Sequence, residues 1–181
     1  MSGYMRDWTV AGGLILGDAG LLLVRNRRRN GSHDWSPPGG VIEPTESMVA
    51  GLTREVVEET GVEVDKWDGP VYEVHVEAPD MGWRLKVEAH LALAYRGELR
   101  LGDPDGIVVE AAWVDPAGCG ERLLAGHPWV REPVVTWLEA HVGNGGTGTG
   151  TGVVAGSWLP RTFRYHVTGK DPATAVVTSL D

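Results

Sequence analysis

Residues 40–62 read GVIEPTESMVAGLTREVVEETGV, and the segment ends in a way that a helix does not favour. From Pro44 to Glu59 the pattern predicts a helix. Pro44 and Glu46 are start signals in its first turn, and Met48, Val49, Leu52 and Val56 recur at three and four, as a buried stripe does. Glu55, Glu58 and Glu59 stand at i, i+3 and i+4, so all three share one face. Gly61 follows, a residue type that ends helices in the left-handed conformation. Carboxylates at that end oppose the helix dipole and repel one another, each effect costing roughly a few tenths of a kcal/mol. A solvated acidic face, a face salt-bridged to Arg54 or to the loop arginines, and a divalent-cation site would each account for the cluster. Hard cations such as Mg²⁺ take oxygen ligands from carboxylates, water and substrate phosphates, and would turn mutual repulsion into shared attraction.

Working outward, Gly39 and Gly40 sit in WSPPGGVIEPTES, a tight approach that fixes the helix start against a strand. Before it, Arg25–Gly40 is polar and turn-rich and predicts a surface loop carrying four arginines, Arg25, Arg27, Arg28 and Arg29. WTVAGGLIL and LLLVRN, joined by GDAG, predict a hairpin. On the other side, Val71–Glu77 and Arg84–Tyr95 alternate as strands around the turn APDMG, and Ile107–Val114 predicts a further strand. ERLLAG fits a short helix and Trp129–His141 a longer one, with Pro133 limiting its first turn. Residues 143–152 are Gly/Thr-rich, as a flexible linker is. Residues 153–181 hold two β-prone pieces that could join the main sheet, pair with another subunit, or stay disordered.

The totals narrow the possibilities. The chain has 181 residues, 42% of them hydrophobic, which fits one soluble domain over residues 1–142 plus the tail. Its formal charge of −9 argues against a nucleic-acid partner, and an acidic protein acting on phosphates would need cations to bridge them. Cys119 is the single cysteine, which excludes an intramolecular disulfide and a cysteine-based zinc site. The first residues contain no signal-peptide core and no run approaches membrane-spanning length, so a cytoplasmic protein without membrane contact is expected.

Gly40, five residues, Glu46, seven residues, Arg54-Glu55-Val56, Val57, Glu58-Glu59, Thr60, Gly61-Val62 resembles the Nudix box, with nine fixed positions across 23 residues and no departure. The resemblance covers about Trp8 to Val142. It implies an α/β fold, an α/β/α sandwich around a mixed β-sheet, and a Mg²⁺- or Mn²⁺-dependent pyrophosphohydrolase for a small-molecule nucleotide. Glu55, Glu58 and Glu59 would be the metal ligands, with one of them or a carboxylate outside the box as general base. Arg54 would orient them, and Gly39, Gly40, Glu46 and Gly61 would support the site.

The family often places an extra acid five or six residues before the tryptophan matching Trp113. Those positions hold Val108 and Ile107, which leaves Glu110 and Asp105 as the nearest candidates. Arg27, Arg28 and Arg29 are candidate phosphate clamps, and Trp83, beside a turn, is a candidate base contact. Trp35, Trp113, Trp129 and Trp137 fit packing roles better. Three functions follow: hydrolysis of a modified nucleoside triphosphate or nucleotide sugar, hydrolysis of ADP-ribose or a dinucleoside polyphosphate, or a catalytically silent nucleotide-binding module. A homodimer is compatible with each.

Overall fold

The computed structural model describes residues 5–142 and 159–180. Chain order runs β1 (Arg6–Leu14), β2 (Leu16–Gly17), β3 (Gly20–Arg27), β4 (His33–Ser36), β5 (Gly39–Val41) and α1 (Met48–Thr60). It continues with β6 (Glu63–Ala78), a 3₁₀ turn (Pro79–Met81), β7 (Trp83–Arg96), β8 (Val108–Val114), α2 (Pro116–Arg122), α3 (Pro128–His141), β9 (Arg161–Thr168) and β10 (Val176–Ser179). Six strands form a mixed sheet in the order β10-β9-β6-β7-β1-β5. Within it β1 runs parallel to β7 and β9 parallel to β6, while the other neighbours are antiparallel. A smaller sheet centres on β3, which pairs with β8 along its length and with β2 and β4 at its two ends.

Apolar clusters on opposite sides make the sandwich. Ala11 and Ile15 meet Leu52 and Val56 of α1 on one side. On the other, Leu14, Val74 and Ala89 pack with Val134, Trp137 and Leu138 of α3, and Cys119 of α2 belongs to the same cluster. The sequence alternation in β7 therefore divides its side chains between the two sides.

The structure revises several sequence expectations. Helix α1 begins at Met48 rather than Pro44, because the Ser47 hydroxyl accepts from the Ala50 N–H and caps it there. Glu46 precedes the helix, and its carboxylate accepts from the Glu43 N–H. The expected Trp8–Asn26 hairpin shrinks to the two pairs of β2 with β3, since β1 departs to lie beside β7. The expected loop Arg25–Gly40 contains β4, β5 and the end of β3, which bury Asn26, Asp34 and Trp35. The short helix starts at Pro116, ahead of ERLLAG, and Pro133 lies inside α3, which starts at Pro128. Of the three fates left open for the tail, its two β-prone pieces join the main sheet as β9 and β10. The linker 143–152 and tail residues 153–158 fall outside the described residues. No described helix is long and apolar enough to cross a membrane.

Candidate active site

The end of α1 is set by Gly61, whose φ of 75° closes the helix with its N–H on the Val57 carbonyl. That closure leaves Glu55, Glu58 and Glu59 on the last two turns, with Glu55 and Glu59 against the approach strand β5. Arg54 gathers the surrounding carboxylates. Its Nη2 and Nε donate to Glu46 at 2.6 and 3.2 Å, and its Nη1 donates to Glu55 at 2.8 Å and to Glu58 at 3.2 Å. One planar guanidinium thus ties the loop before the helix to two of the three glutamates. The bond to Arg54 holds the Glu46 carboxyl below its usual range, and the Glu43 N–H adds to the effect.

Glu59 is held differently. It is 9% exposed and accepts from the Gly39 N–H at 2.9 Å. Burial pushes its carboxyl up to about 8; the Gly39 bond opposes the shift, and Glu55, Asp103 and Glu58 reinforce it. Burial also raises the Glu55 carboxyl, against the pull of Arg54. Gly40 leaves room for the Glu55 carboxylate: a Cβ there would stand 2.6 Å from it, so the carboxylate would have to move.

A cleft of about 750 Å³ opens beside these groups. Glu55, Glu59, Gly39 and Gly40 line one end, together with Asp103 and Asp105 from the loop before β8. Val10, Tyr72, Leu85 and Val87 line its apolar part, and Trp83, His127 and Trp129 supply aromatic surface. His127 stacks on Trp129 at 4.0 Å between centroids, and Trp83 meets Trp129 edge-on at 6.3 Å. Burial lowers the basicity of His127, and Arg28 adds to the effect while Asp34 opposes it.

The expected site residues separate on this map. Glu55 and Glu59 line the cleft, as do Gly39, Gly40, Arg28 and Trp83, whereas Glu58 is turned towards Arg54. Glu110 lies on β8 opposite Arg25, with the side chains 3.4 Å apart, and does not reach the cleft. The loop arginines do not act together. Arg28 makes a two-bond contact with Asp34 at 2.6 and 2.7 Å, Arg27 donates to the Gly106 carbonyl, and Arg29 is exposed.

Sequence reasoning missed Asp103, Asn26 and His127. Asp103 accepts from the N–H groups of Asp105, Ile107 and Val108 and so folds its loop towards the helix end. The signal available was DPDG, an acidic turn-forming run. Asn26 is buried, bonded to Asp34 and Ser36, and lines the cleft, but a lone asparagine inside a strand carries no sequence signal.

The donor set at the cleft end consists of carboxylate oxygens, which suits a hard divalent cation. Among the described residues, no three acidic, histidine or cysteine side chains are gathered into a group that could hold a metal ion by themselves. Open carboxylate sites of this kind match the way Mg²⁺ binds, through one or two carboxylates with water and substrate phosphates completing its shell.

Comparison with known proteins agrees with this geometry. The NUDIX domain profile matches residues 7–138. A MutT-like protein of Streptomyces ambofaciens is 48% identical over 63 residues, a match spanning 34% of this chain and 39% of that protein's length. Among solved structures, the E. coli ORF135 protein aligns with a TM-score of 0.62 at 23% identity, covering 75% of this chain and 93% of that one. A MutT protein from Bacillus halodurans aligns at 0.61 with 20% identity, covering 94% and 97%. At these identities the structural likeness speaks to the fold. Taken with the unbroken glutamate signature and the profile match across most of its length, the chain belongs to the Nudix hydrolase family.

Proposed function

We propose that the protein is a metal-dependent hydrolase that cleaves the diphosphate linkage of a nucleoside diphosphate derivative, either a modified nucleoside triphosphate or a nucleotide sugar. One observation carries this reading: Glu55 and Glu59 line the same cleft as an apolar and aromatic surface formed by Val10, Leu85, Val87, Trp83 and Trp129. A charged diphosphate fits the first region and a planar base the second.

Glu55, Glu58 and Glu59 are the residues that would hold Mg²⁺ or Mn²⁺. When bound there, such a cation would neutralise charge on the nonreacting phosphate oxygens and lower the pKa of a coordinated water. Arg54 fixes the carboxylates of Glu55 and Glu58 so that neither has to find its rotamer as substrate arrives. Gly39 and Gly40 let the backbone approach these carboxylates closely. Asp105 lines the same end of the cleft and takes the place of Glu110 as the acid outside the box, available to accept a proton from the attacking water.

A phosphate-release screen over a nucleotide panel, coupled to inorganic pyrophosphatase for triphosphates and to alkaline phosphatase for nucleotide sugars, with Mg²⁺ or Mn²⁺ and with or without chelator, tests the reading. Glu58→Gln should lower turnover by about two orders of magnitude or more while circular dichroism stays unchanged. An unchanged rate in that variant would sink the assignment. Silence across the panel combined with nucleotide-induced thermal stabilisation would mark a binding module instead.

A further inference from the structure

We propose that β9 is a positioning element for the substrate cleft, setting through Phe163 and Tyr165 the wall on which the substrate's base packs. The proposal rests on the nucleotide reading above, and β9 lies beyond the residues that the NUDIX profile matches.

The strand and the residue that follows it reach β6, α3 and the turn before Trp83, which carry or adjoin cleft residues. It runs parallel to β6 from the pair Tyr72–Arg161 to the pair Glu77–His166. Phe163 meets the ring of Tyr72, a cleft-lining residue, edge to face at 6.0 Å and 85°. Tyr165 is 1% exposed, and its hydroxyl donates to Glu132 Oε2 at 2.8 Å. Glu132 belongs to the stretch of α3 whose Trp129, Val130 and Val134 line the cleft. Just after β9, the Gly169 N–H donates to Asp80 at 2.9 Å, pinning the β9–β10 connection to the 3₁₀ turn that precedes Trp83.

Neither Phe163 nor Tyr165 lines the cleft, so their influence passes through Tyr72, α3 and the turn. The carboxylate end is remote from them. Four strand steps separate β9 from β5, roughly 19 Å at the usual strand spacing. A disturbance at β9 should therefore reach base binding and leave the reacting end in place.

The test uses the full chain with Tyr165→Phe, which removes only the hydroxyl, and Phe163→Leu, which removes the ring edge. Steady-state constants are measured on nucleoside triphosphates and on methyl triphosphate, which lacks a base. Equilibrium binding of α,β-methylene nucleotides is followed by tryptophan fluorescence. The expected result is a KM and Kd for nucleotides raised about five- to tenfold, with kcat and the methyl triphosphate constants within about twofold of the parent. Glu132→Gln keeps an acceptor for the hydroxyl and should hold the nucleotide KM close to the parent value. A merely structural role would lower activity on both substrates alike, and that outcome overturns the proposal.

Unchanged nucleotide KM and Kd in folded Tyr165→Phe also overturns it, whether or not Phe163→Leu folds. Wild-type protein that binds nucleotides without hydrolysing them refutes the hydrolase reading and leaves this proposal to the Kd values. Wild-type protein that does neither refutes both.

Discussion

Glu59 is 9% exposed, with Glu55, Glu58 and Asp103 adding like charge around it, so the folded chain without metal prefers its carboxyl protonated. Its ordinary value of 4.5 applies to the unfolded chain and about 8 to the folded one. Between these limits the folded state binds more protons, so stability is fully present below about 4.5 and is lost as pH rises towards 8, at up to about 1.4 kcal/mol per pH unit. In chelator, Glu59→Gln should flatten this slope and be more stable than the parent at pH 8. Urea titrations at pH 6 and pH 8 would show it, and parallel pH dependences for the two proteins would refute the burial argument. The spacing of the three glutamates was legible because helix periodicity translates directly into one face. The candidate acid outside the box was legible only as a choice between Glu110 and Asp105. Glu110 is close to the expected position along the chain, yet strand pairing sets it beside Arg25, while the Asp103 turn folds Asp105 into the cleft.

At the level of the element, α1 tolerates three carboxylates near its C-terminus because Arg54 neutralises part of their charge from within the same helix. The helix has no basic residue in its last turn to offset the dipole. Arg54→Lys keeps the charge but replaces a planar fork with a single point donor, which cannot hold Glu46, Glu55 and Glu58 together. The expected outcome is a kcat lowered about 10- to 100-fold with KM and helix content little changed, as loss of preorganisation predicts. Steady-state kinetics with far-UV circular dichroism check it, and a parental kcat would show that the fork is dispensable. The helix itself was readable from its apolar stripe. Its start was misplaced because Pro44 and Glu46 are valid start signals, and the choice between them and Ser47 is made by the side-chain bonds of Glu46 to Glu43 and Arg54.

Across the whole molecule, the sequence showed strands and helices but not their order in space. The parallel partnership of β1 with β7 joins residues more than seventy positions apart, and no local pattern encodes it. The same holds for β9, whose β-prone composition was visible while its partner β6 was not. This arrangement gives the main sheet apolar material on both faces, with Leu52 in the cluster on the α1 side and Leu138 in the cluster on the α3 side. If the sheet couples both faces into one cooperative unit, Leu52→Ala and Leu138→Ala should each cost about 2–5 kcal/mol. Their separation by the sheet predicts that the double variant loses the sum to within about 0.5 kcal/mol, in a single transition with an unchanged denaturant slope. Urea unfolding followed by tryptophan fluorescence and by circular dichroism tests both statements at once. Two resolved transitions would mean that the faces unfold separately. The carboxylate site, with its helix on one side of the sheet and its cleft wall on the other, would then depend on two units rather than one.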